Sequence, residues 1–108
     1  MLYLTEIDDI SKKLAVDFGG EATVAKMIIN KAIDKHKYLN HPRIIRCILY
    51  LAKGSFADLE KNVTAAIYDP RDVFMWAEYI DTNEDPKTPK RLRAFNKTFE
   101  RSEIDISE

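Results

Sequence analysis

The chain has 108 residues, of which 45% are apolar and 32% charged, and its formal net charge is −1. This composition describes a globular chain of one domain's size with enough apolar content for a core, and excludes a disordered, collagenous or disulfide-stapled one. Three Gly and four Pro leave few tight turns and favour helices, while a single Cys excludes an internal disulfide and fits a reducing compartment.

In chain order, Thr5 reads as the N-cap of a first helix over 6–18, with Asp8 and Asp9 in its first turn and Ile7, Ile10, Leu14 and Phe18 as one apolar stripe. Gly19-Gly20 ends it. A second helix over 21–38 places Ala22, Ala25, Ile28, Ile29, Ala32, Ile33 and His36 on one face. Lys26, Asn30, Asp34 and Lys37 lie opposite, and Val24 and Met27 fall outside the apolar face.

The punctuation is sharpest between 40 and 80. Asn40-His41-Pro42 opens a third helix over 42–53 that Gly54 closes, Ser55 caps a fourth over 56–68, and Asp69-Pro70 opens a fifth over 70–80. The third is apolar over most of its circumference, as expected of a helix buried among others. Its polar positions, Arg43, Arg46, Tyr50 and Lys53, form one strip. The fifth carries Val73, Phe74, Met75, Trp76, Ala77 and Ile80. After the polar stretch 81–86, Thr88-Pro89 opens a sixth helix over 89–101. Its apolar stripe is Leu92, Phe95 and Phe99, and its basic face is Lys90, Arg93, Lys97 and Arg101. The expected fold is all-α, a single compact bundle of five to six short helices built from consecutive helical hairpins, over residues 1–101. Residues 102–108 form a flexible acidic tail.

Charge is uneven. Residues 1–86 carry 11 Lys/Arg against 14 Asp/Glu, whereas 87–101 carry 6 against 1. One local basic patch on a balanced chain is not the footprint of a bulk nucleic-acid binder. The first residues lack the basic and apolar regions of a signal peptide, and no apolar run approaches the ~20 residues of a membrane span. The expectation is a cytoplasmic protein that engages no membrane.

Glycine only at 19, 20 and 54 allows neither a Walker loop nor a dinucleotide fingerprint. His36, His41 and Cys47 have no zinc spacing, so neither cofactor nor metal ligands are assigned. His36 reads as a core histidine near a helix end and Cys47 as inert packing. Asp69, Asp72 and Glu78 explain themselves as capping and pairing groups rather than as a metal or general-base cluster, and no catalytic residue is assigned.

Three surfaces remain. Arg43, Arg46, Tyr50 and Lys53 either recognise an anion or are neutralised by the acids at 69–72. The basic face Lys90, Arg93, Lys97, Arg101 is either solvated or drawn to an acidic partner. Met75 and Tyr79, off the Val73-Ala77-Ile80 face, are either covered by the sixth helix or form an apolar partner surface. The leading expectation is a non-enzymatic interaction module (adaptor, regulator or immunity-type protein) whose partner is a protein, including a second copy of itself. The alternative is a nucleic-acid binder using the two cationic surfaces, and third comes an enzyme using His36 or the acids.

Overall fold

The computed structural model describes residues 3–80, 90–91 and 95–99. Its architecture is all-α. Among the described residues, the α-helices in chain order are α1 (Asp8–Phe18), α2 (Ala22–Lys35), α3 (Pro42–Ala52), α4 (Phe56–Tyr68) and α5 (Pro70–Glu78). Single 3-10 turns at Leu4–Glu6, Gly19–Glu21 and Lys37–Leu39 precede α1, α2 and α3. None of the helices, among the described residues, is long and apolar enough to cross a membrane.

The caps account for the boundaries. His41 precedes α3 and its Nδ1 accepts from the Arg43 amide at 3.2 Å, with Pro42 at the first helical position, where its missing N–H costs nothing. Lys53 ends α3 in the left-handed conformation and Gly54 follows at φ +79°. The Ser55 hydroxyl then accepts from the Asp58 amide at 3.3 Å to start α4.

Thr5 does not cap α1. It lies in the first 3-10 turn, fully buried, and its hydroxyl donates to Asn30 Oδ1 at 2.8 Å. Tyr3 donates to Asp34 Oδ1 at 2.5 Å, and Glu6 pairs with Lys26. The polar face of α2 is therefore where the 3–6 segment docks, and α1 begins at Asp8, two residues later than the expected start at 6. His36 does not belong to α2. At φ −136° it ends the helix, half-buried, with its ring edge-on to Tyr38 at 5.8 Å.

The core gathers around α3, which contacts α1, α4 and α5. Its Ile44, Ile45, Cys47, Ile48, Leu49 and Ala52 are all buried, beside Ile10 and Leu14 of α1, Leu59 and Val63 of α4, and Val73 and Ala77 of α5. Gly54 sits so close to α1 that a Cβ there would lie 2.8 Å from the Asp17 carbonyl oxygen.

At 90–91 and 95–99 the expected sixth helix is corrected, the rest of 89–101 lying outside the described residues. Lys90 and Arg91 pair antiparallel with Ile80 and Tyr79, a ladder of two residues per side, and 95–99 is turn and irregular chain. α5 accordingly ends at Glu78, because Tyr79 and Ile80 are extended to make that pairing. The expected tail at 102–108 lies outside the described residues.

Candidate functional site

The strip on α3 is not an open cationic surface. Spacings of three and four put Arg43, Arg46 and Tyr50 along one side of the helix, and that side meets α1, α5 and the 95–99 segment. Arg43 donates through Nε and Nη2 to the two carboxylate oxygens of Glu78, at 2.9 and 2.6 Å, and its guanidinium lies 4.0 Å from the Phe74 ring centre. Arg46, 5% exposed, donates through Nε and Nη2 to Asp9 at 2.9 and 3.2 Å and through Nη1 to the Phe95 carbonyl at 3.2 Å. Tyr50 packs its ring on Phe95 at 4.9 Å. Lys53 alone of the four is exposed, as the left-handed cap.

The neutralising acids are Glu78 and Asp9, not those at 69–72. Asp69 holds Arg71 two residues on, at 2.9 Å, which keeps the Asp69 carboxyl below its ordinary range, and Asp72 is exposed. A guanidinium fork closed on a carboxylate has spent the donors that would take a phosphate, so Arg43 and Arg46 are built as internal clamps.

Both carboxylates also accept main-chain amides. Phe95 N–H donates to Glu78 Oε2 at 2.8 Å and Phe99 N–H to Asp9 Oδ2 at 2.9 Å. Phe95 is fully buried and Phe99 5% exposed, their rings edge to face at 5.9 Å, with the Lys13 ammonium 5.7 Å from the Phe99 ring centre. Burial alone would raise the Asp9 pKa, but the Arg46 hydrogen bond, the Phe99 amide and the Arg46 charge outweigh it and hold the carboxyl below the ordinary range. Asp17 goes the other way. Burial raises its pKa, against the pull of Lys13 at 3.2 Å.

This geometry disperses the basic face expected on a sixth helix. Lys90 lies in the two-residue ladder and Lys97 on the turn, exposed, while Arg93 and Arg101 lie outside the described residues.

Of the two residues expected to form an apolar interface, Met75 is exposed on α5 and the side chain of Tyr79 lies outside the described residues. At ~100° per residue, α5 turns Val73, Ala77, Phe74 and Glu78 inward and leaves Met75, Asp72 and Trp76 outward. Met75 is 60% exposed and Trp76 50%. Beside Trp76 opens a cavity of about 350 Å³ lined also by Leu51, Asp58, Lys61 and Asn62. Tyr79 contributes its backbone to the ladder, and its side chain lies outside the described residues. Trp76 was hidden in the sequence by the general richness of α5, since Phe74 and Trp76 flank the Val73-Ala77 arc symmetrically and only packing turns Phe74 inward and leaves Trp76 exposed. A sequence signal for Asp9 existed. Asp9, Lys13 and Asp17, four apart, form an acid–base–acid row beside the Ile10-Leu14-Phe18 stripe.

The remaining chemistry-bearing residues stay apart. Cys47 is buried, with its sulfur 4.0 Å from Glu78 Oε2, and no three His, Cys, Asp or Glu side chains among the described residues are grouped so as to hold a metal ion. No protein-family model, no curated protein and no solved structure matches this chain.

Proposed function

We propose that this chain is a small, non-enzymatic, cytoplasmic interaction module, a single domain assembled from helical hairpins, that docks a protein partner through the outward face of α5. The observation that carries the reading is the pairing of Met75 and Trp76, both at least half exposed, with the cavity that Trp76 shares with Leu51. Methionine adapts to irregular partner surfaces and tryptophan supplies a large, rigid anchor, and both types are enriched where partners bury each other's surface. Asp58, Lys61 and Asn62 at the cavity wall supply a polar rim. The partner chemistry that fits is an apolar side chain seated against Trp76 within a polar surround, from a protein that includes a second copy of this chain. Of the cations on which the nucleic-acid alternative draws, Arg43 and Arg46 are paired with Glu78 and Asp9.

A photo-crosslinking residue in place of Met75 tests the reading in cells that express the chain. The expected result is one dominant protein adduct that excess unlabelled chain competes away and excess Trp76→Glu chain does not. Because Trp76 is half exposed, that variant should keep a cooperative unfolding transition. Absence of any adduct, or equal competition by both chains, would overturn the proposal.

A further inference from the structure

We infer that the channel between α1, α3 and α5 is a peptide-recognition groove, occupied in cis by residues 95–99, and that it accepts from a partner protein an irregular segment carrying two aromatic side chains four residues apart. This surface is distinct from the outward face of α5 and rests on different observations.

Residues 95–99 are held as bound peptides are held. Two aromatic anchors are buried, the intervening Asn96, Lys97 and Thr98 are exposed, and three main-chain groups bond to side chains of other elements. Main-chain bonds of that kind give affinity without regard to sequence, and the two aromatic pockets give selectivity. The first pocket is Tyr50 with the Glu78 acceptor, and the second is Lys13 over the ring with the Asp9 acceptor.

The groove is also organised to survive without its occupant. When the segment leaves, Glu78 is still closed on Arg43 and Asp9 on Arg46, so neither carboxylate is stranded as a bare buried charge. The amide acceptors therefore stay positioned for a second segment of the same chemistry. A tethered occupant competes at high effective concentration, so a partner segment binds the intact chain weakly and binds tightly only once the tethered one is disabled.

The probe is a synthetic peptide with the sequence of residues 93–101, titrated into isotope-labelled full-length chain and followed by amide shifts at Asp9, Lys13 and Arg46. The full-length F95A/F99A variant should bind it at least about ten-fold tighter than the wild-type chain does, and a peptide lacking both phenylalanines should bind neither. Equal affinity for the two chains, or no binding by a cooperatively folded F95A/F99A chain, overturns the inference. Hydrogen exchange in the wild-type chain decides the matter even if that variant fails to fold. The Phe95 and Phe99 amides should exchange at least about 100-fold faster than those of Ile48 and Leu49, through an opening short of global unfolding. Equal protection would make the segment part of the core and overturn the inference.

Discussion

Asp9 receives Arg46 through both carboxylate oxygens and the Phe99 amide through one of them, in a site where its own residue is only 8% exposed. A charge so placed is held by its partners and not by water, and removing either member of the Arg46–Asp9 pair leaves the other as an uncompensated charge at a cost of about 3–5 kcal/mol. The pKa shift carries a pH dependence. Asp9 titrates lower in the folded chain than in the unfolded one, so its contribution is present above the unfolded value and is lost as pH falls through the folded value. Asp17 is raised by burial. It therefore costs stability above its folded pKa and returns some as pH falls, partly offsetting the loss from Asp9. In urea unfolding at pH 7, Asp9→Asn should be less stable than wild type by about 3 kcal/mol. The gap should narrow as pH falls through the folded pKa of Asp9, below which the wild-type carboxyl is itself neutral. A gap independent of pH would show that Asp9 is not held ionised by Arg46 and the Phe99 amide.

Between residues 40 and 70 the helices were legible because each boundary is written twice, once in the apolar period and once in a cap. His41-Pro42, Gly54 and Ser55 place α3 and α4 to within a residue of their expected limits. The Gly54 turn is constrained from outside as well, since its φ is +79° and a Cβ would meet the Asp17 carbonyl at 2.8 Å. Gly54→Ala should therefore destabilise by about 2 kcal/mol or more, with the urea midpoint falling at an unchanged m-value. A neutral outcome would mean that the α3–α4 turn and α1 shift apart freely. Residues 89–101 were misread for a definite reason. Leu92, Phe95 and Phe99 at spacings of three and four satisfy a helical stripe, and three residues cannot separate that from two anchors of an irregular segment. The competing information, carboxylates on α1 and α5 waiting for main-chain amides, is long-range and has no local signature.

At the scale of the molecule, the cations of α3 join parts of the chain far apart in sequence. Arg46 bonds Asp9, 37 residues before it, and the Phe95 carbonyl, 49 after it, while Asp9 also holds the amide of Phe99, 90 residues on. Arg43 does the same between α3, α5 and Phe95 through Glu78. The sequence showed that α3 is central and that its strip needs acids. It pointed to the wrong acids because Asp69 and Asp72 are dense in charge, whereas Glu78 sits singly among apolar neighbours and Asp9 lies 37 residues from Arg46 beside Asp8, where it passes for an ordinary first-turn acid. Among the exposed large apolar residues, Met75 and Trp76 are adjacent on α5 and Trp76 borders a cavity, which is why partner contact is proposed there. The account turns on the Arg46–Asp9 clamp being internal and coupled, and a double-mutant cycle of Arg46→Met and Asp9→Leu on the full chain tests that most directly. Each single variant should lose about 3–5 kcal/mol, and the double variant should lose less than their sum by about 2 kcal/mol or more, since each single change strands the other charge. Losses that add to within about 0.5 kcal/mol would contradict the clamp and return Arg46 to the surface as a free recognition residue.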